Sequence, residues 1–159
     1  MAIQTGDKLP NTELKIMGAK GPEAMTIEQL TAGKKVVLFA VPGAFTPGCS
    51  NTHVPGYVVN ADVIKAKGVD SIICLSVNDA FVMGAWGKDQ NAEALTMLAD
   101  GNGSFTREIG LTMDASGFQM GERSQRYAMI VDDGVVSYLA VEPAGGVDVS
   151  AAEKIIAQL

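Results

Sequence analysis

Two uninterrupted apolar runs limit what this chain can fold into. They are Lys35-Val36-Val37-Leu38-Phe39-Ala40-Val41 and Ser71-Ile72-Ile73-Cys74-Leu75-Ser76-Val77. Neither alternates polar with apolar residues, so neither has a solvent face; both have the length and β-branched content of strands buried on both sides. Such strands need cover above and below. Between them lies an amphipathic segment, about 49–67, in which Val54, Val58, Val59, Ala61 and Ile64 recur at helical spacing. Strand, helix, strand on this scale implies parallel pairing through a right-handed crossover. Pro55 lacks an N–H, so it is expected to kink that helix or end its first stretch.

The remaining signals extend the pattern. Residues 26–30 predict a short helical turn ended by Gly33, and Asn78-Asp79 offers a cap for a helix over 80–86. A third strand is expected over 95–99, followed by a short helix at 105–109 capped by Ser104. Residues 124–131 and 135–141 flank Asp132-Asp133-Gly134, a strong hairpin signal. Ser150 is read as the cap of a last helix over 151–158. The order gives an α/β fold with a mixed central sheet flanked by helices. At 159 residues, 47% apolar and 19% charged, residues 1–159 are expected to form one domain whose core needs no disulfide or structural metal.

Charge and cysteine content exclude several classes. The balance of 12 basic and 18 acidic residues, net −6 at pH 7, disfavours nucleic acid and anionic membrane surfaces as partners. The N-terminus carries no basic stretch followed by an apolar run, and no segment is long and apolar enough to span a bilayer, so a cytoplasmic location is expected. With two cysteines 25 residues apart and one histidine, neither a C-x-x-C pair nor a Cys/His metal site is expected, and no cofactor is implied.

Chemistry concentrates after the first buried run, in Val41-Pro42-Gly43-Ala44-Phe45-Thr46-Pro47-Gly48-Cys49-Ser50. Ligands of open α/β sheets bind beyond the carboxyl ends of strands. Cys49 falls near the start of the following helix, where unpaired N–H groups and the positive dipole end favour an anion such as a thiolate. Thr46, three residues upstream, can bring its hydroxyl to the sulfur or to a substrate oxygen. Pro42 has no N–H and forms a dry wall. Cys74 lies inside an apolar run and reads as a structural thiol; the alternative, a second redox partner for Cys49, needs the two Cα atoms within about 7 Å. His53, one turn after Cys49, has two readings: the base of a cysteine hydrolase, or, preferred because Pro55 disturbs the turn, a histidine that packs or caps locally.

Of the three arginines, Arg107 is read as solvated, and Arg126 opens the run Tyr127-Ala128-Met129-Ile130-Val131. From there its head can cross the sheet to the thiolate, although taken alone it reads as a surface charge. Trp86 has helical spacing with Val82 and suggests packing or a subunit contact.

These residues resemble the peroxiredoxin signature of Pro, three residues, Thr or Ser, two residues, then Cys, which stands here as Pro42-Gly43-Ala44-Phe45-Thr46-Pro47-Gly48-Cys49. The blocks Thr52-His53-Val54-Pro55-Gly56-Tyr57, Ser76-Val77-Asn78-Asp79-Ala80-Phe81-Val82 and Arg126 through Gly134 resemble the type II group in particular. The resemblance implies a thioredoxin-like fold and a peroxidase acting on hydrogen peroxide and organic (alkyl) hydroperoxides. It casts Cys49 as nucleophile, Thr46 as the hydroxyl that positions peroxide, Pro42 as shield and Arg126 as the cation over thiolate and transition state. Some members carry a resolving cysteine in the stretch matching 143–152; this chain has none there. The resemblance therefore implies a one-cysteine cycle through a sulfenic acid, recycled by glutathione with glutaredoxin or by thioredoxin, and a homodimer formed beside the active site with Phe45 and Trp86 as interface contacts. Two other classes remain: a peroxide sensor or holdase without turnover, and a hydrolase using Cys49 and His53.

Overall fold

The computed structural model describes all of residues 1–159. Its frame is a seven-stranded mixed sheet. The two buried runs form β3 (Lys35–Val41) and β4 (Ser71–Ser76), paired in parallel from Val36–Ser71 to Val41–Ser76. The third expected strand, β5 (Thr96–Ala99), continues the parallel set beyond β4. On the other side of β3 lies β8 (Tyr127–Asp132), antiparallel to it, then β9 (Val135–Val141). Asp133 and Gly134 take φ of 49° and 81°, both in the left-handed region, as the tight turn between β8 and β9 requires.

Alternation along the strands divides the interior in two. Val37, Phe39 and Val41 of β3, Ile72 and Cys74 of β4, and Ala128 and Ile130 of β8 face one core. That core is closed by α2 (Val54–Ala66), α3 (Ala80–Asp89) and α5 (Ala152–Ile156). Val36, Leu38, Ala40, Ile73, Leu75, Tyr127, Met129 and Val131 face the opposite core, covered by α1 (Ile27–Thr31), α4 (Ser104–Glu108) and the N-terminal segment. Helices thus cover both sheet faces, as the unalternating runs demand. Asp79 supplies the expected cap of α3, its side chain accepting from the Val82 N–H at 2.8 Å.

Several expectations are corrected. The sheet gains an outer hairpin, β1 (Glu13–Gly18) and β2 (Gly21–Thr26), in a segment with no strand signal; β2 is an edge strand containing Pro22, and its side chains are mostly exposed. A second small sheet pairs β6 (Thr112–Asp114) with β7 (Glu122–Ser124). The run 124–131 is consequently not one strand: it breaks at Gln125 and Arg126, where the Gln125 N–H turns aside to the Leu111 carbonyl. Ser104 does not cap α4; buried Asp100 does so from outside, accepting from Phe105 N–H, Thr106 N–H and Thr106 Oγ1 at 3.3, 2.9 and 2.7 Å. Ser150 does not cap α5 either, because its hydroxyl donates to Glu142 at 2.6 Å. Arg107 is half-exposed as expected, but it is paired with Glu122 at 2.8 Å.

Candidate active site

Pro42 follows the last residue of β3, and the chain then folds tightly over residues 43–48. The Ala44 N–H donates to Asn78 Oδ1 at 3.0 Å, and Asn78 is itself fixed by Ser76 Oγ at 2.6 Å. Between these anchors Phe45 holds a left-handed φ of 64°, rare for a residue with a side chain. Thr46 Oγ1 donates to the Gly43 carbonyl at 2.7 Å, and the Thr46 carbonyl accepts the Ser50 N–H at 2.8 Å. Pro55 ends the first stretch of the predicted helix: Cys49–His53 form one wide π-type turn, closed by the Val54 N–H on the Cys49 carbonyl, and Pro55 occupies the first turn of α2.

Cys49 is fully buried. Arg126, in the break between β7 and β8, crosses the sheet as expected and donates from Nη2 to Cys49 Sγ at 3.3 Å. A fixed cation at that distance stabilises negative charge on the sulfur. Gly48 makes the approach possible, since a Cβ there would lie 3.2 Å from Arg126 Nη2.

The other guanidinium nitrogen shows what His53 does. Arg126 Nη1 lies 2.9 Å from His53 Nδ1, and His53 Nε2 lies 3.1 Å from the Ser150 carbonyl. A carbonyl only accepts and a guanidinium only donates, so the ring carries its proton on Nε2 and accepts at Nδ1. Burial first, then the Arg126 charge, lowers its pKa from 6.5 to about 4, against the pull of the Ser150 carbonyl and Glu142. The imidazole is neutral, with both nitrogens engaged and neither on the sulfur. It is not placed as a hydrolase base, which agrees with the preferred reading of local packing and adds the arginine contact. Sequence alone gave no signal for that contact, because its partners lie 73 and 97 residues away.

Glu142 completes the surroundings. Its Oε2 accepts from Asp148 N–H, Ser150 N–H and Ser150 Oγ at 2.7, 2.9 and 2.6 Å. Burial acts to raise its pKa, but hydrogen bonds from the Ser150 hydroxyl and the N–H groups of Asp148, Ser150 and Val149 outweigh it and hold the carboxyl below its ordinary value.

A cavity of about 570 Å³ lies against Arg126, the residue that holds the buried sulfur, and Cys49 itself does not line it. Pro42, Thr46 and Arg126 line it together, so three of the four sequence-predicted residues meet at one cavity, and the fourth, Cys49, is bonded to one of them. Met113, Phe118 and Met120 give the lining an apolar part. Cys74 is fully buried in β4 opposite Phe39; burial pushes its thiol well up, and neighbouring Cys49 adds to this while Arg126 opposes it. Trp86 is not a surface contact: it is fully buried, donating from Nε1 to Ser50 Oγ at 2.9 Å, while half-exposed Phe45 lies 6.3 Å from its ring.

A buried thiol at the carboxyl end of a central strand, under a guanidinium and beside a cavity, defines a thiol-dependent enzyme on a thioredoxin-like mixed α/β fold. Residues 4–156 match the Redoxin family, and the chain belongs to that family, among the type II peroxiredoxins. It is 47% identical to the chloroplastic peroxiredoxin-2E of Arabidopsis thaliana over 99% of this chain and 70% of that protein. The reduced Prx3 of Vibrio vulnificus in complex with hydrogen peroxide superposes with a TM-score of 0.95 at 58% identity, covering 98% of both chains. The Plasmodium falciparum antioxidant protein, a one-cysteine peroxiredoxin, gives 0.90 at 30% identity over 96% of both chains. The enzyme is a thiol peroxidase with an antioxidant function.

Proposed function

We propose that Cys49 is the peroxidatic nucleophile of a one-cysteine cycle. The observation that carries this reading is the Arg126 guanidinium on the buried Cys49 sulfur at 3.3 Å. The thiolate attacks one peroxide oxygen, the O–O bond breaks, and sulfur is oxidised to sulfenic acid while the other oxygen leaves, protonated, as water or alcohol. Arg126 meets charge on sulfur and on the departing oxygen, a donor fixed in advance of the reaction. The Thr46 hydroxyl proton is engaged by Gly43, which leaves its lone pairs to accept from the peroxide O–H. Pro42 presents no N–H and excludes water. The apolar part of the cavity lining suits the carbon chain of an organic hydroperoxide beside hydrogen peroxide itself.

Regeneration needs an outside thiol. Glutathione or a donor protein attacks the sulfenic sulfur and expels water, giving a mixed disulfide; a second thiol, from glutaredoxin with glutathione or from thioredoxin, then releases Cys49 reduced. The absence of cysteine from 143–152 and the burial of Cys74 both support this route. Because Cys49 is fully buried, resolution also requires the wide turn Cys49–His53 to loosen. The test is steady-state peroxide consumption with each donor system. Cys49→Ser abolishes turnover and Cys74→Ser retains it; loss of turnover by Cys74→Ser with every donor refutes the one-cysteine cycle.

A homodimer is part of the same reading, supported by Phe45, half-exposed on a strained loop beside the site. Sedimentation of native protein and Phe45→Asp checks it: a native monomer refutes the dimer, and a dimer unaffected by the substitution refutes the contact.

A further inference from the structure

The cycle above makes no use of Glu142, yet this carboxylate is buried and collects three short hydrogen bonds. All three donors, the Asp148 N–H, the Ser150 N–H and the Ser150 hydroxyl, lie on the return of the loop that follows β9. Residues 143–146 of that loop are exposed, and Gly145 and Gly146 have open space around them, so the loop is fixed at its return rather than along its course. Holding Ser150 by both its N–H and its hydroxyl sets the direction of its carbonyl. That carbonyl is the common acceptor for two buried side chains, Tyr57 Oη at 2.8 Å and His53 Nε2 at 3.1 Å.

From His53 the chain of contacts leads to the sulfur. With its Nε2 proton committed to Ser150, the ring has one acceptor left, Nδ1, and Arg126 Nη1 donates to it at 2.9 Å. Nη2 of the same guanidinium reaches Cys49 Sγ. The arginine is also held at its other end, because the Glu142 N–H donates to the Arg126 carbonyl at 2.9 Å. One residue therefore grips Arg126 twice: directly at the main chain, and through Ser150 and His53 at the head. A guanidinium on a long flexible stem needs such a frame, since an unheld arginine spreads over many rotamers.

We propose that Glu142 is a positioning residue of the peroxidase reaction: its carboxylate fixes the Ser150 carbonyl, which fixes His53, which aims the Arg126 guanidinium at the Cys49 sulfur. The inference rests on the reading of Arg126 given above. Outer partners of this kind typically change rates about tenfold to a hundredfold when removed from metal-ligand sets, and a comparable loss of about tenfold is expected here. Glu142→Gln keeps an oxygen where the carboxylate oxygen stands and should restore most of the rate.

The experiment is a double-mutant cycle on the first oxidation of the full-length reduced protein, with sulfenic acid at Cys49 followed by rapid quench and mass spectrometry after mixing with hydrogen peroxide. Native protein, Glu142→Ala, Glu142→Gln, Arg126→Ala and the Glu142→Ala/Arg126→Ala pair are compared, each with its melting curve. If Glu142 acts through the arginine, Glu142→Ala slows oxidation about tenfold in the native background and adds nothing when Arg126 is absent. Equal slowing in both backgrounds overturns the proposal, since general loosening of the fold does not depend on the arginine; so does a native rate in Glu142→Ala. If Glu142→Ala does not fold, Glu142→Asp, which keeps the charge but shortens the reach, enters the same cycle and is judged by the same two outcomes. An Arg126→Ala protein that oxidises at the native rate overturns the underlying reading itself, and is seen before Glu142 is changed.

Discussion

Gly48→Ala places one methyl group against the arginine. The backbone at Gly48 has φ −62° and ψ −37°, a conformation alanine adopts freely, so the substitution introduces no backbone strain and fewer unfolded conformations are lost on folding. The new Cβ lies 3.2 Å from Arg126 Nη2 and 3.9 Å from Cζ, inside ordinary contact distance for the first. The guanidinium has little room to retreat, because Nη1 is bonded to buried His53 at 2.9 Å. It pivots instead, and the Nη2 to sulfur contact, 3.3 Å long in the native protein, opens by a few tenths of an ångström. A hydrogen bond involving a charged group is worth about 1.5–3 kcal/mol, so weakening it by roughly half removes about 1 kcal/mol of stabilisation. That corresponds to about a fivefold slower oxidation of Cys49, with an unchanged or slightly raised melting temperature. Stopped-flow oxidation by hydrogen peroxide together with a thermal melt measures both. A Gly48→Ala protein that oxidises at the native rate refutes the claim that this contact governs the chemistry.

Two further predictions concern His53. The amide oxygen of asparagine falls near the Nδ1 position and the amide of glutamine near Nε2, so His53→Asn keeps an acceptor for Arg126 while His53→Gln keeps only the Ser150 partner. His53→Asn therefore oxidises faster than His53→Gln, and the reverse order contradicts the assigned tautomer. The second is a pH effect on stability. The folded pKa of about 4 lies below the ordinary 6.5, so between these values the unfolded chain binds the extra proton and stability falls as pH falls through that window. The loss approaches about 3 kcal/mol across the whole window, and urea unfolding at neutral and mildly acidic pH should show a shallower dependence for His53→Asn than for native protein.

Much of this architecture is local enough to be read from the chain. The runs that became β3 and β4 have no polar alternation, and Asp133-Gly134 can hardly serve any turn but the one it makes. Cys49 and Thr46 declare themselves by their place after a buried strand, whereas Arg126, a surface charge by its position alone, takes its role from the family resemblance. The missed elements have physical reasons. β2 lies at the sheet edge, where exposed Glu23 and Pro22 are tolerated and no hydrophobic pattern is needed. Ser104 and Ser150 look like caps because serine favours that role locally, but Asp100 serves α4 and Glu142 takes the Ser150 hydroxyl. The parts of the site most hidden in the sequence are His53 and Glu142. Their contacts reach the sulfur through a carbonyl and a guanidinium brought together only by the completed sheet.

The position of β3 has a consequence for how the enzyme divides rigidity. This strand is paired along its length with β4 on one side and β8 on the other, and it ends directly on Pro42. The strand up to Val41 is therefore anchored in central-sheet backbone, residues 43–48 form a loop tied to Asn78, and the sulfur itself belongs to a single irregular turn that begins at Cys49. A peroxide needs a fixed target; a reducing thiol needs that target to come out. In the cycle proposed above, both demands meet at Cys49, which stands where the anchored loop passes into the irregular turn.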